Sequence, residues 1–241
     1  MDVGRWAFVF SAMLSAIIVA GGSSQRMGFD KLFAVIAGEP VIAHSIRAFD
    51  RATAVSEILV VAREQRHDEI RKISSGAGFK KIRAIVPGGE RRQDSVRAGL
   101  DQIDREAKYV AVHDAARPLI TPEQIERAFE QCRVHGAAAL AQPVNDTLKR
   151  ADADLLVVDL VDRHQLYAMQ TPQIFERKLI EDAYHDVYGK KASVTDEVSA
   201  VERLGHKIAL VLNDDFNFKI TYQRDLPVAD FILRERVNDH R

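Results

Sequence analysis

The chain alternates short apolar runs with longer segments in which apolar residues recur at helical spacing. Ala16-Ile17-Ile18-Val19-Ala20 is a β-branched run of strand length, and Glu57–Ala62, Lys81–Val86 and Tyr109–Val112 read the same way. Runs this apolar predict strands covered on both faces, as in a parallel sheet. The segments between them carry one apolar face. A helix is expected from Pro40, which suits a first helical turn, to about Ala52. Another runs from Glu64 to about Ser75 and is closed by Gly76-Ala77-Gly78. Val96, Leu100 and Ile103, at i, i+4 and i+7, mark a core stripe. Thr121 and Pro122 read as N-cap and first turn of a helix that turns Ile125, Phe129 and Cys132 inward. A short strand is also expected near Phe33–Ile36. Strand–helix alternation predicts an α/β fold with a mainly parallel sheet.

After about Ala137 the pattern changes. Ala137–Gln142 and Asp154–Val161 read as strands with no helix between them, which predicts a hairpin or projecting arm at about 142–166. Gln170-Thr171-Pro172-Gln173 reads as a turn. Helices are expected at about Glu176–Tyr188, Asp196–Leu204 and Asp225–Val237, and final strands at Lys207–Leu212 and Asn217–Thr221. At the other end, Arg5 and the apolar stretch after it resemble a weak signal peptide, too short to span a membrane comfortably. That stretch ends in the strand that feeds the glycine loop, so cleavage there would destroy the best site in the chain. Residues 1–12 therefore read as an extension, with Met13 as an alternative start, and 13–241 as a single domain.

Composition narrows the chemistry. The 241 residues carry 34 basic and 35 acidic side chains, a formal charge of −1. That balance gives no reason to expect nucleic acid or an anionic membrane as the main partner, so an anion site must come from local clustering. Cys132 is the only cysteine, which excludes an internal disulfide and fits a reducing cytoplasm. No C-x-x-C or H-E-x-x-H occurs, which argues against thiolate zinc and zincin sites.

The polar clusters follow the strands. Ala16–Ala20 leads into Gly21-Gly22-Ser23-Ser24-Gln25, then to Arg26 and Lys31. Glycines let backbone N–H groups approach phosphate oxygens, and nearby cations offset their charge, so the stretch suits a polyphosphate. It is neither G-x-x-x-x-G-K-[ST] nor G-x-G-x-x-G. Ile82–Val86 leads to Gly88-Gly89-Glu90-Arg91-Arg92-Gln93-Asp94-Ser95, and Tyr109–Val112 to His113-Asp114-Ala115-Ala116-Arg117. In an open parallel sheet ligands bind beyond the carboxyl ends of the strands. Three such clusters converge there. Taken singly they have plainer readings: a flexible turn, solvated cations, a helix-start Ser95, an N-cap or turn Asp114. His113 reads as structural and Cys132 as core packing.

In order, AGG..QRM…DK, GG..R..DS, HDAARP, DTLK, QTPQ, TDE and N-F-K-I-T resemble the 2-C-methyl-D-erythritol 4-phosphate cytidylyltransferase family, from about Leu14 to Phe231. The resemblance implies a Rossmann-like three-layer sandwich with a projecting β-arm for dimerisation. It implies CMP transfer from CTP to the polyol phosphate, with Mg2+, in a cytoplasmic homodimer that exchanges the arm. Arg26 and Lys31 would stabilise the reacting phosphorus and the leaving pyrophosphate. Ala20, Gly21 and Gly22 would surround the nucleotide, with Gly89, Arg92 and Ser95 at base and ribose. Asp114 would meet the Mg2+–triphosphate region or the substrate hydroxyls. Ala115, Arg117, Thr147, Arg163, Thr195 and Lys219 would form the acceptor site, with Arg163 and Thr195 supplied by the partner. Arg163 and Lys219 would grip the attacking phosphate. Two departures stand out. Asp30-Lys31-Leu32 replaces the usual Pro-Lys-Gln, a local string closer to the molybdenum-cofactor nucleotidyltransferases. Phe216-Asn217-Phe218-Lys219 lacks the usual acidic residue before Asn, leaving the role of Asp214 and Asp215 open. Ribitol 5-phosphate cytidylyltransferase shares the fold and nucleotide site, and the acceptor pocket separates the two.

Overall fold

A computed structural model describes residues 14–22 and 27–238, so the extension at 1–12 and the alternative start at Met13 lie outside the described residues. The first strand, β1 (Leu14–Ala20), ends in the glycine loop, which leads to a 3-10 turn at Lys31–Phe33. A two-residue hairpin follows, β2 (Val35–Ile36) and β3 (Glu39–Pro40), then α1 (Val41–Arg51). The strand expected near Phe33–Ile36 is thus mostly a turn, because Asp30 accepts from the Leu32 N–H and winds the chain around Lys31. Next come β4 (Val55–Ala62), a 3-10 turn at Glu64–Arg66 and α2 (His67–Ala77). Gly76 lies inside α2, and Gly78, in the left-handed region at φ 69°, ends it. β5 (Ile82–Pro87), α3 (Arg92–Leu100), β6 (Tyr109–Asp114) and α4 (Pro122–His135) complete the first half.

The second half departs from simple alternation. β7 (Ala137–Pro143) leads into a separate antiparallel hairpin, β8 (Leu148–Ala151) and β9 (Val157–Val161). β10 (Tyr167–Glu176) returns to the main sheet, followed by α5 (Arg177–Gly189), α6 (Glu197–Glu202), β11 (Ala209–Leu212) and α7 (Asp225–Asn238). The seven-stranded sheet runs β11-β7-β10-β6-β1-β4-β5. Every neighbouring pair is parallel except those of β10, which is antiparallel to β6 and β7.

Two further expected elements are corrected. Gln170–Gln173 is not a turn between elements but an irregular stretch inside β10, where the register with β7 slips between Met169 and Gln173. Pro172 cannot donate to a ladder, and Gln170 and Thr171 direct their side chains into buried hydrogen bonds instead. Asn217–Thr221 joins no sheet. It is held by an Ile220 N–H bond to Ala116 O and by the Asn217 amide on Gln170 and Thr171.

The layers follow from the period of two in β1. Ala16 and Ile18 face a core shared with α1, α2, α4 and α7, whereas Ile17 faces a second core shared with α3, α5 and α6. At Gly99 of α3 an added Cβ would lie 2.8 Å from Ile17 Cγ2, so only glycine lets this helix sit so close to β1. After β1 the chain adds β4 and β5 on one side, then crosses to place β6 on the other. The strand order therefore reverses at β1, and a crevice opens there beyond the carboxyl ends of the strands.

Candidate active site

That crevice is a cleft of about 340 Å³. Its walls are the end of β1 with Gly21 and Gly22, the turn at Lys31, the loop from Gly89 to Arg92, and the β6 end at Asp114 and Ala116. Ser95 and Lys219 close it. The glycines matter sterically. A Cβ on Gly88 would meet Ser95 Oγ at 2.9 Å, and one on Gly89 would meet Asp94 Cβ at 2.3 Å. At Gly89, where the backbone and Cβ of Asp94 stand in the way, the β5 loop can lie against the start of α3 only with glycine.

Charge is organised around Asp114. Its Oδ1 accepts from Arg92 Nε at 3.1 Å and its Oδ2 from Lys219 Nζ at 2.8 Å, with Arg117 Nε 3.9 Å away. Arg92 also donates both Nη groups to Glu197, at 2.7 and 2.9 Å. Tyr184 O–H adds a bond to Glu197 at 3.0 Å. Three cations thus meet two carboxylates, leaving one positive charge in excess. Burial works to raise the Asp114 pKa, but Arg92 and Lys219 outweigh it and hold the carboxyl well below its ordinary range. Burial alone would lower the Arg92 value; Glu197 and then Asp114 raise it instead. Lys31 Nζ donates to Ile220 O at 2.6 Å, which places it beside Lys219. Arg63 and Arg91 complete a cation-rich lining.

His113, one residue before Asp114, is fully buried against Phe49. Its Nε2 lies 3.3 Å from Arg117 O and its Nδ1 3.0 Å from Thr171 Oγ1. A carbonyl only accepts, so Nε2 carries the proton and Nδ1 accepts from Thr171. Thr171 Oγ1 in turn accepts the Asp114 N–H at 3.1 Å. The imidazole is neutral and structural: burial pushes its pKa down to about 3.

Of the residues singled out in the sequence, Ala20, Gly21, Gly22, Lys31, Gly89, Arg92, Ser95, Asp114 and Lys219 line one cleft. Arg26 lies outside the described residues. Ala115 is wholly buried, donating to Val19 O and accepting from Ser45, and Arg117 turns to Asn217 O at 2.7 Å. Thr147 and Arg163 are exposed on the arm, where Arg163 bonds Asn145 O, and Thr195 is exposed beside Ser199. None of these five lines the cleft. Asp215 pairs with Arg236 at 2.6 Å, a role in anchoring α7. Sequence reading missed Glu197 as the partner of Arg92. Its one signal was position: Asp196 caps α6, which turns the next side chain inward. Among the described residues no three His, Cys, Asp or Glu side chains converge on a metal position.

The profile of the 2-C-methyl-D-erythritol 4-phosphate cytidylyltransferase family matches residues 14–235. A relative of that name from Caldanaerobacter subterraneus subsp. tengcongensis is 41% identical over 92% of this chain and 99% of its own. One from Pelotomaculum thermopropionicum is 37% identical over 92% and 95%. The crystal structure of 4-diphosphocytidyl-2C-methyl-D-erythritol synthase from Anaerococcus prevotii superposes with a TM-score of 0.81 at 30% identity, over 92% of this chain and 96% of that one.

The neutral His113 makes stability depend on pH. Its folded pKa lies below the unfolded value of about 6.5, so its full contribution is present above that pH and declines as pH falls toward about 3. Between these limits the unfolded state binds about one more proton, a slope of ~1.4 kcal/mol per pH unit. Denaturant unfolding from pH 6.5 to 4.5 should show a slope shallower by about one proton in His113→Gln than in the wild type. Equal slopes would mean that His113 takes up a proton in the folded state.

Proposed function

Because the chain belongs to the 2-C-methyl-D-erythritol 4-phosphate cytidylyltransferase family, we propose that its rim cleft holds CTP and that the β8–β9 arm completes the acceptor site of a second subunit. The activity is the family's: CMP passes from CTP to 2-C-methyl-D-erythritol 4-phosphate, yielding 4-diphosphocytidyl-2-C-methyl-D-erythritol and pyrophosphate in isoprenoid biosynthesis. The observation that carries the cleft assignment is the cation-rich, glycine-walled crevice at the strand-order reversal, with Asp114 fixing Arg92 and Lys219.

The nucleophile is a phosphate monoester, with a second pKa near ~6, so it is mostly dianionic at neutral pH and needs no general base. The barrier lies in bringing this anion against the α-phosphate of CTP, so positioning and positive charge carry the catalysis. Ala20, Gly21 and Gly22 present backbone to the triphosphate. Gly89 and Ser95 bound the base and ribose, and Arg92, held by two carboxylates, forms a rigid wall there. Lys31, with Arg26, offsets charge at the reacting phosphorus and the pyrophosphate. Lys219 receives the attacking phosphate. Were Mg2+ to accompany CTP, Asp114 is the carboxylate in the cleft that would meet it, and the ion would offset charge on the triphosphate.

Arg163, Thr147 and Thr195 line no part of the cleft of their own chain. The arm also exposes Leu155 at 85%, Leu156 and Val157 at 65% and Leu160 at 58%. Apolar side chains grouped this way on a projecting hairpin call for a partner surface. In a homodimer the arm carries Arg163 to the neighbouring acceptor site, to which Thr195 is also supplied across the interface. No helix among the described residues is long and apolar enough to cross a membrane, and Cys132 is buried with its thiol pKa pushed up to about 12 by that burial. A single cysteine, buried and unable to form an internal disulfide, suits a cytoplasmic enzyme.

Pyrophosphate release, measured with each common nucleoside triphosphate against 2-C-methyl-D-erythritol 4-phosphate and ribitol 5-phosphate, should be fastest with CTP and the methylerythritol acceptor. Lys31→Ala and Arg26→Ala should each cut turnover by about 2–4 kcal/mol of transition-state stabilisation while the fold survives. Near-normal turnover would remove these cations from the mechanism. Arg163→Ala should raise the acceptor KM and leave CTP affinity nearly unchanged. Mixing Arg163→Ala with Lys31→Ala chains should restore activity, since one site of each mixed dimer is then intact. If heterodimers form and activity stays absent, Arg163 serves its own subunit.

A further inference from the structure

The glycine loop is held from behind by Arg66 and Asp30, which are not part of the cleft lining, and at one carbonyl by Arg63, which is. Arg66, in the turn after β4, is buried, and its guanidinium reaches three places at once. Nη1 donates to Ala20 O, Nη2 to Gly22 O at 2.8 Å, and Nε to Asp30 Oδ2 at 2.5 Å. The carbonyl between, Gly21 O, accepts from Arg63 Nε at 2.9 Å. Three successive carbonyls are thereby turned toward the β4–α2 connection. A trans peptide is planar, with its N–H opposite its C=O. The Gly21 N–H therefore points away from the Arg66 guanidinium, and the Gly22 N–H away from that of Arg63.

Asp30 links this arrangement to the reacting lysine. One of its oxygens accepts the Leu32 N–H at 3.2 Å and so winds the turn that begins at Lys31; the other accepts from Arg66. A single planar fork thus ties residues 20 and 22, at the start of the loop, to residue 30, at its end. A lysine could not do this, because a compact ammonium on a flexible stem lacks the rigid spread of donors. The arrangement also gives a role to Asp30, one of the two departures from the family pattern.

We propose that Arg66 and Asp30 are positioning residues for cytidylyl transfer: their ion pair fixes the direction of the Gly21 N–H and the place of Lys31 relative to it. The inference depends on the cleft holding the triphosphate of CTP. Neither residue is assigned contact with the reacting atoms. Their effect should therefore appear in the nucleotide half of the reaction and spare the acceptor half.

Steady-state pyrophosphate release with CTP and 2-C-methyl-D-erythritol 4-phosphate provides the test, run on wild type, Arg66→Met, Arg66→Lys, Asp30→Asn and the Arg66→Met/Asp30→Asn double variant. Methionine keeps the apolar stem, and asparagine keeps a cap for the Leu32 N–H. Arg66→Met should raise the CTP KM and lower kcat, with kcat/KM for CTP falling on the order of a hundredfold, as for loss of a preorganised donor set. The acceptor KM at saturating CTP should stay within about twofold. Arg66→Lys should recover only part of the loss. Asp30→Asn should do less harm than Arg66→Met and add little to it, since both break the same contact. If the folded variants lose thermal stability but keep wild-type kcat and CTP KM, the pair is merely structural and the proposal is overturned. If Arg66→Met does not fold, Arg66→Lys and Asp30→Asn decide on the same criteria. A wild type inactive with CTP would instead overturn the cleft assignment itself.

Discussion

The rim of the sheet depends on one buried carboxylate. Asp114 ends β6 beside β1 and gathers Arg92 from the start of α3, Lys219 from the segment after β11, and Arg117 from its own loop. Burying charges costs several kcal/mol per ion, and only close pairing with full hydrogen bonding repays it. Here the pairing is close on both Asp114 oxygens, and Glu197 absorbs the rest of Arg92. Such a set contributes little net stability. It fixes cations at known places in a cleft while leaving one positive charge in excess for an anionic ligand.

The support around this set is continuous. Gln173 Oε1 accepts the Glu197 and Val198 N–H groups at 3.1 and 3.0 Å, and its amide nitrogen donates to Asp196 at 2.9 Å. The β10 strand thereby places the start of α6, and with it Glu197. Gln170 joins Asn213 and Asn217, which fixes the segment that carries Lys219. The irregular stretch of β10 is thus where polar side chains from three parts of the chain are satisfied together. A strand that would look defective by hydrogen-bond ladder alone is what aligns both sides of the cleft.

How much of this the sequence disclosed follows from the range of each interaction. β1, β4 and β6 were legible because strands covered on both faces are apolar throughout, and Thr121-Pro122 because caps are local signals. The cleft residues Gly21, Gly89 and Asp114 were legible because they follow or end β1, β5 and β6, and Lys31 and Ser95 because they belong to the polar clusters that those strands lead into. Arg66 and Glu197 were not, since each acts on residues far away in sequence and looks locally like an ordinary charged helix-start residue. Ala115 and Arg117 share a motif with Asp114, yet strand geometry sends the first into the core and the second toward Asn217. Asn217–Thr221 has strand composition, but Ala116 offers it a single backbone partner rather than a ladder.

The central claim is that fixed positive charge, held by Asp114, does the work that an acid–base set does in other transferases. Asp114→Asn tests it directly, since the amide keeps the shape and removes the charge that orients Arg92 and Lys219. Stopped-assay kinetics of pyrophosphate release with CTP and 2-C-methyl-D-erythritol 4-phosphate should show kcat/KM for CTP falling by roughly two orders of magnitude, the scale of one preorganised electrostatic contact in a dry site, with far-UV circular dichroism unchanged. A folded Asp114→Asn protein with wild-type kcat/KM would contradict the account.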